Sequence, residues 1–154
     1  MKRVSKSRLL ASDIMSRPLI CLREGASMRK AASMMIEHAI SGAAVVDGHG
    51  RPIGVLTKTD IVRYARDRST SQGPIAAAER GTSLEPPSGP DTVCRWMTPQ
   101  VFSVPATATA QELAREMLRR RIHRVFIRTA RSGQLLGVVT TTDVLRRCLT
   151  SPAY

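Results

Sequence analysis

Two nearly identical stretches decide how this chain is organised: "GVLTKTDIV" at residues 54–62 and "GVVTTTDVL" at residues 137–145. Apart from Lys58 against Thr141, they differ only by exchanges of one aliphatic residue for another. They begin 83 residues apart. Because similarity at a fixed spacing is the signature of a structural repeat, we compared the sequence upstream of both stretches as well.

The similarity continues upstream. "SDIMSRPLICL" (12–22) aligns with "CRWMTPQVFSV" (94–104), and "AASMMIEHAISGAAVV" (31–46) aligns with "LAREMLRRRIHRVFIR" (113–128), both at an offset of 82 residues. The one extra residue falls in the turns "DGHG" and "TARSG", and insertions are tolerated in such turns. The chain therefore contains two copies of a unit of nearly 60 residues.

The same order of elements is predicted in each copy: a short apolar strand, an amphipathic helix, two apolar runs around a Gly-containing turn, and a second helix. Ser27 is the expected N-cap of the first helix in copy one, and Thr109 and Glu112 form a capping box in copy two. The predicted apolar stripes are Ala31, Ala32, Met35 and Ile36 in copy one, and Leu113, Met117 and Leu118 in copy two. The fold class is α/β (α+β), with a β-α-β-β-α unit repeated in tandem.

These boundaries divide the chain into two domains and a linker. Residues 10–67 form the first domain and residues 91–149 the second. Residues 68–90 are rich in Ser, Gly and Pro without a sustained apolar period, which predicts a flexible linker.

The net charge is +12 for 154 residues, and both halves are basic, with +7 in residues 1–68 and +6 in residues 91–154. This balance indicates an anionic partner, which is a nucleotide phosphate, a nucleic acid or an acidic protein surface. No apolar run approaches the roughly 18 residues that a membrane-spanning helix needs. The basic start of the chain lacks the apolar region of a signal peptide, so we expect a cytoplasmic protein without membrane insertion.

The cysteines predict neither disulfides nor a metal site. Cys21, Cys94 and Cys148 are an odd number at wide spacing, without a CxxC pattern or a neighbouring His in ligand spacing. We expect reduced, part-buried thiols.

The repeated unit resembles a CBS domain, the family named after cystathionine beta-synthase. The resemblance is carried by "DIMSRP", "AASMMIEHAISGAAVVDGHGRPIGVLTKTDIV", "WMTP" and "IHRVFIRTARSGQLLGVVTTTDVL", and it spans about residues 10–67 and 91–149. A tandem pair of this kind is a Bateman module. The resemblance implies that the copies pair through their sheets with pseudo-two-fold symmetry and bind AMP, ADP, ATP or S-adenosylmethionine in clefts between them. It also implies a homodimer.

The repeated Thr-x-x-Asp lies where a strand is predicted to end and a helix to begin. Helix starts offer N–H groups to a phosphate, and a carboxylate accepts hydrogen bonds from the vicinal hydroxyls of a ribose. By resemblance to the family, Asp60 and Asp143 bind ribose, and Thr57 and Thr140 bind ribose or phosphate. The alternative is that each motif only caps its helix.

The copies differ just upstream, where Ser41 and Gly42 of copy one align with His123 and Arg124 of copy two. Arginine can donate two hydrogen bonds to a phosphate, so we expect His123 and Arg124 to provide most of the phosphate preference. The alternative is that Arg124 belongs to the solvated basic face of residues 119–121.

The strands "LICL" (19–22) and "VFSV" (101–104) are the candidates for lining an adenine slot. The lining residues would be Ile20, Cys21, Val101 and Phe102, although core packing explains the same residues.

The sequence favours a stand-alone regulatory module over an enzyme. It contains no Ser-His-Asp arrangement and no Gly-rich phosphate loop, and we expect neither catalytic residues nor a bound metal. Its signal would pass to a separate protein. The alternatives are a charge-driven nucleic-acid-binding protein, for which stacking aromatics are scarce, and a ligand-free interaction scaffold.

Overall fold

The structure is a computed structural model that describes residues 9–71 and 89–150. The chain divides into two compact units. The first, which we call the Asp60 unit, is Ile20–Val101. The second, the Asp143 unit, combines Met1–Leu19 with Phe102–Tyr154.

The helices and strands follow each other in the predicted order. They are α1 (Ala11–Ile14), β1 (Cys21–Arg23), α2 (Met28–Glu37), β2 (Gly42–Val46), β3 (Pro52–Thr57), α3 (Lys58–Ser71), α4 (Val93–Trp96), β4 (Ser103–Pro105), α5 (Ala110–Arg120), β5 (Arg124–Arg128), β6 (Leu135–Thr140) and α6 (Thr141–Thr150). The β-α-β-β-α order of each copy is confirmed. The four-residue helices α1 and α4 were not predicted.

Each unit contains one three-stranded sheet with the same topology. In the order β1-β2-β3, β1 is parallel and β3 antiparallel to the central strand, and β4-β5-β6 repeats this arrangement. The predicted hairpins are therefore β2–β3 and β5–β6. Their registers pair Gly42 with Thr57 and Arg124 with Thr140, which places the start of each central strand beside the end of the next strand.

The helix starts are capped as predicted. The Ser27 hydroxyl accepts a hydrogen bond from the Lys30 N–H at 3.2 Å. Thr109 and Glu112 form the reciprocal capping box, with bonds of 2.7 and 3.2 Å. Because these bonds satisfy N–H groups that the helix itself cannot, they set where α2 and α5 begin.

Each sheet packs against its helices over a small aliphatic core. The buried side chains of the Asp60 unit are Leu22, Met28, Ala31, Met35, Ala43, Val45, Leu56 and Val93. Those of the Asp143 unit are Ala11, Leu113, Met117, Val125, Ile127 and Val139. Both lists draw on residues from outside the repeat that supplies the sheet, because Val93 lies in α4 and Ala11 in α1.

Two residues of the predicted apolar stripes are exposed. Ile36 retains 78% and Leu118 retains 80% of its accessible surface, whereas the preceding residues, Met35 and Met117, are buried. Each helix turns by about 100° per residue, so the side chain that follows a buried one points away from the sheet. The placement of Ile36 and Leu118 in the core stripe was wrong.

The compact units differ from the sequence repeats because two short segments are exchanged. Residues 9–19, which we call the N-terminal arm, pack with the second repeat, and residues 89–101, the central arm, pack with the first. Ser16 and Val138 exchange backbone hydrogen bonds of 2.8 and 3.3 Å, and Thr98 and Val55 exchange two of 2.9 Å. The predicted domain boundaries follow the repeat, whereas packing joins each sheet to an arm from elsewhere.

The repeated glycine of "GVLT" and "GVVT" allows this close approach. A Cβ on Gly54 would lie 2.5 Å from Met97 Sδ and 2.7 Å from the Thr98 carbonyl oxygen. A Cβ on Gly137 would lie 2.8 Å from Met15 Sδ and 2.8 Å from the carbonyl oxygen of the next residue. Only a residue without a side chain fits beneath each arm.

Side chains of α3 hold the central arm in place. Tyr64 packs edge-on against Trp96 with ring centroids 5.3 Å apart, and the Trp96 indole N–H donates to the Pro90 carbonyl at 2.9 Å. Arg68 forms an ion pair with Asp91. Helix α3 continues to Ser71, so residues 68–71 of the predicted linker are helical. Its residues 72–88 lie outside the described part of the chain.

Candidate functional site

Each Thr-x-x-Asp forms a compact corner between a strand and a helix. In the Asp60 unit, the Asp60 Oδ2 accepts hydrogen bonds from the Thr57 backbone N–H at 2.8 Å and from the Thr57 hydroxyl at 2.7 Å. The hydroxyl in turn accepts from the Asp60 N–H at 3.4 Å. In the Asp143 unit, Thr140 and Asp143 make the same three contacts at 2.8, 2.7 and 3.3 Å. The motif therefore caps α3 and α6, as the structural alternative predicted.

One further backbone donor at each of these helix starts is also engaged. The N–H of Lys58 donates to the Ser41 carbonyl at 3.1 Å, and that of Thr141 donates to the His123 carbonyl at 3.1 Å. We expected these helix starts to offer free N–H groups to a phosphate. The N–H groups of Thr57, Lys58 and Asp60 already have partners, as do their counterparts in α6, so these three donors of each corner are not available to a phosphate.

The second carboxylate oxygen distinguishes the two corners. Asp60 Oδ1 lies 3.5 Å from Arg63 Nη1, one turn along α3, and the Asp60 side chain retains only 6% of its accessible surface. Asp143 is only partly buried, and its Oδ1 accepts a long hydrogen bond of 3.5 Å from the Ser16 hydroxyl of the N-terminal arm. One carboxylate oxygen thus faces a cation and the other a neutral hydroxyl.

The sheet brings the other predicted residues of the Asp143 unit to its corner. Arg124 is the cross-strand partner of Thr140, and His123 immediately precedes it. The Phe102 carbonyl accepts a hydrogen bond from the Phe126 N–H at 3.0 Å, which holds Phe102 beside β5. Arg124 is partly buried and His123 is exposed.

The equivalent residues of the Asp60 unit carry no charge. Gly42 is the cross-strand partner of Thr57, and Ser41 precedes it. Cys21 pairs with Ala44 at the start of β1, and Ile20 precedes that strand. Val101 and Phe102 likewise precede β4 rather than lying in it, so the predicted strands began too early.

Sequence reasoning missed one residue beside the predicted adenine slot. The guanidinium carbon of Arg120 lies 4.1 Å from the centroid of the Phe102 ring, within the range of a cation–π contact. Arg120 also donates to Glu116 at 2.9 Å, and hydrogen bonds from Arg119 and Arg120 lower the pKa of this carboxyl group. The signal was present in the sequence, because an Arg at the end of α5 lies close to the start of β5.

Two of the three cysteine side chains lie in the described part of the chain. Cys21 and Cys94 are free, and burial raises the pKa of Cys21, which keeps it protonated at neutral pH. The side chain of Cys148 lies outside the described residues. Within residues 9–71 and 89–150, no three His, Cys, Asp or Glu side chains are grouped so that they could hold a metal ion.

A cavity of about 910 Å³ lies elsewhere in the Asp60 unit. It is lined by Arg23, Lys30, Asp47 and Arg95, among others, and it includes Cys21 from the predicted site. The ends of β1 and β2 form this region, whereas Thr57 pairs with the opposite end of β2. The cavity and the Thr-x-x-Asp corner are therefore at different ends of the sheet.

Comparison with known proteins gives one family and a consistent fold. The family model described as "CBS domain" matches residues 11–67 and 93–150. An uncharacterized protein of Methanocaldococcus jannaschii, MJ1404, is 29% identical over 150 residues, which are 95% of this chain and 34% of that protein. The chain spans about a third or less of the length of the first curated relatives it matches.

Two solved structures share the architecture. The CBS domain pair of protein MJ0100, in complex with 5′-methylthioadenosine and S-adenosyl-L-methionine, has a TM-score of 0.73 at 23% identity. CBSX2 in complex with AMP has a TM-score of 0.71 at 21% identity. In both cases the match covers 92% of this chain and 96% of the other chain. The tandem arrangement predicted from the sequence is confirmed.

Within the described part of the chain, no helix has both the length and the apolar character needed to cross a bilayer.

Proposed function

This chain belongs to the CBS domain family, and on that premise we propose that it is a regulatory module that binds an adenosine-containing nucleotide. The ligand is AMP, ADP, ATP or S-adenosylmethionine, and a Thr-x-x-Asp corner holds it. The structures of MJ0100 with S-adenosyl-L-methionine and of CBSX2 with AMP support this ligand class. The role is regulatory rather than catalytic, and the signal passes to a separate protein.

One observation carries the proposal: the pairing of Arg124 with Thr140 across β5 and β6. It places Arg124 across the strand pair from Thr140, whose hydroxyl donates to Asp143 Oδ2, and Asp143 Oδ1 lies 3.5 Å from the Ser16 hydroxyl. A ribose hydroxyl can donate to Asp143, and the Arg124 guanidinium can bind the adjoining phosphate. These are two of the recognition elements that a nucleotide requires, and they lie at one edge of one sheet.

The division of roles leads to a direct test by isothermal titration calorimetry with AMP, ADP, ATP, S-adenosylmethionine and adenosine. Arg124→Ala should weaken AMP binding by about 10- to 100-fold, as expected for the loss of charge-assisted hydrogen bonds. Adenosine binding should change little, because adenosine has no phosphate.

Arg128→Ala is the matched control, since it removes the same charge from the other end of β5. It should leave both affinities unchanged. Equal losses of AMP and adenosine binding in Arg124→Ala would refute the phosphate role, and a wild-type protein that binds none of the five compounds would refute the nucleotide function.

We also propose a homodimer, and the supporting observation is the placement of the exposed apolar side chains. Ile36 on α2 and Val62 on α3 are 78% and 68% exposed, and their repeat equivalents Leu118 and Leu145 are 80% and 63% exposed. Large aliphatic side chains at equivalent positions of both copies are typical of surfaces that another protein covers. A second copy of the chain offers the same apolar surface in return.

A further inference from the structure

The two Thr-x-x-Asp corners are close copies in sequence, but their carboxylates have different surroundings. In both, Oδ2 is committed to the N–H and hydroxyl of the preceding Thr, which leaves Oδ1 as the oxygen that a ribose hydroxyl can reach. The partner of Oδ1 therefore decides how easily a ribose hydroxyl can bind at each corner.

At the Asp60 corner, that oxygen faces a cation of its own helix. Arg63 Nη1 lies 3.5 Å from Asp60 Oδ1, and the Asp60 side chain is 6% exposed. A ribose hydroxyl that binds Asp60 must displace a guanidinium from a nearly buried carboxylate. This contact is an ion pair rather than a hydrogen bond, and a neutral hydroxyl brings no charge to replace it, so the exchange is unfavourable by the modest amount that an exposed ion pair contributes.

At the Asp143 corner, the exchange is close to neutral. The Oδ1 atom accepts from the Ser16 hydroxyl at 3.5 Å, well beyond the roughly 2.5–3.0 Å of an ordinary O–H···O hydrogen bond. A ribose hydroxyl that replaces Ser16 substitutes one hydroxyl donor for another in a better geometry. Asp143 is also only partly buried, so a ligand reaches it without first exposing it.

The positively charged side chains that could bind a phosphate also differ between the two units. In the Asp143 unit Arg124 is the cross-strand partner of Thr140 and His123 precedes it, where the Asp60 unit has Gly42 and Ser41. In the Asp60 unit the guanidinium of Arg63 faces the carboxylate of its own helix, and in the Asp143 unit Arg124 lies on the strand beside the corner.

Resting on the proposed nucleotide function, we infer that the chain binds one nucleotide, at the Asp143 corner, and that Arg63 closes the Asp60 corner. Arg63 determines the binding stoichiometry in this scheme, because it decides how many sites are open. Its 55% exposure leaves the guanidinium able to turn into solvent when the pair is broken. Arg63 closes the Asp60 corner by lowering its affinity for AMP, and removal of the Arg63 charge raises that affinity.

Calorimetry with AMP separates the two corners. The wild-type chain should bind one equivalent of AMP, and Asp143→Asn should weaken this binding by about tenfold or more, since the amide cannot accept as a charged group does. Asp60→Asn should leave it unchanged. Both substitutions retain an oxygen that accepts from the preceding Thr N–H, and thermal unfolding verifies that the variants are folded.

Arg63→Ala should strengthen AMP binding at the Asp60 corner by about fivefold, the upper range for an exposed ion pair, so that a second equivalent becomes measurable. The double variant Arg63→Ala/Asp143→Asn should retain this second site, and Asp60→Asn should abolish it in that background. Arg66→Ala is the control, because it removes a cation from the same helix whose ion-pair partner is Asp67.

The outcomes distinguish this inference from the proposed function. If wild type binds AMP and Arg63→Ala changes neither the stoichiometry nor the affinities, only the role of Arg63 is refuted. Weaker AMP binding in Arg63→Ala also refutes it, because Arg63 would then contact the phosphate. No binding by wild type or by Arg63→Ala refutes both statements. If AMP binds to Arg63→Ala but not to wild type, the closure by Arg63 is supported and the proposed nucleotide function of the wild-type chain is refuted.

Discussion

Gly54 is the residue whose replacement tests the exchange of arms most directly. Gly54→Ala adds a methyl group 2.5 Å from Met97 Sδ and 2.7 Å from the Thr98 carbonyl oxygen. The sulfur lies in a flexible side chain that can move, but the carbonyl oxygen belongs to backbone that is hydrogen-bonded to Val55. The central arm must therefore shift away from β3.

The expected loss follows from these contacts. Overpacking of this kind costs about 1–3 kcal/mol, and the two 2.9 Å bonds between Val55 and Thr98 are worth about 0.5–1.5 kcal/mol each. Alanine also lowers the conformational entropy of the unfolded chain, which restores about 0.4–1 kcal/mol of stability. We expect Gly54→Ala to lower the free energy of unfolding by about 2–4 kcal/mol, since part of the arm's contacts survive.

Urea denaturation followed by tryptophan emission is the assay, because the single Trp of the chain, Trp96, lies in the central arm. Gly54→Ala should expose Trp96 at lower urea concentrations than wild type. Gly137→Ala, which strains the N-terminal arm of the other unit, should destabilise the protein without changing the native emission spectrum. Gly48→Ala is the control, because no atom lies within 4 Å of an added Cβ there. A Gly54→Ala variant as stable as Gly48→Ala would refute the reasoning.

The remaining predictions concern the corner and the exposed helix faces. Thr140→Ala should lower the free energy of unfolding by about 1 kcal/mol without any ligand, because the hydroxyl and Asp143 cap α6 reciprocally; Thr142→Ala, on the exposed surface of the same helix, should not. Unchanged stability in Thr140→Ala would contradict the capping role. Ile36→Lys together with Leu118→Lys should convert a dimer to a monomer in sedimentation velocity without lowering the unfolding temperature of the monomer, since both side chains are exposed within one chain. A sedimentation coefficient equal to that of wild type would exclude these faces from the interface.

Local patterns in the sequence were sufficient for the order and type of the larger elements. The caps at Ser27 and Thr109 and the hairpins around the Gly-containing turns depend on contacts between residues close in the chain. The buried positions Met35 and Met117 follow from helical spacing. The edges of the apolar stripes on α2 and α5 could not be predicted in the same way. The sequence does not show how wide a face of each helix the sheet covers, and Ile36 lies just outside the covered face.

The candidate site shows the same division. The strand-to-helix position of Thr57 and Thr140 was predictable, and so was the pairing of the corners with the start of the central strands. That each motif caps its helix was stated as an alternative. The partner of Asp143 Oδ1 was not predictable, because Ser16 is 127 positions away in the chain, whereas Arg63 lies only one helical turn from Asp60.

The sequence by itself determined that the chain is a tandem repeat with two Thr-x-x-Asp corners, because a repeat and its turn residues are local and recur at fixed spacing. Only the tertiary structure decided that each sheet receives its arm from the other repeat, and that glycine is required beneath it. Only the tertiary structure, too, placed the Ser16 hydroxyl on Asp143. Both depend on which surfaces meet in the folded chain, where packing selects among partners that the repeat leaves equivalent.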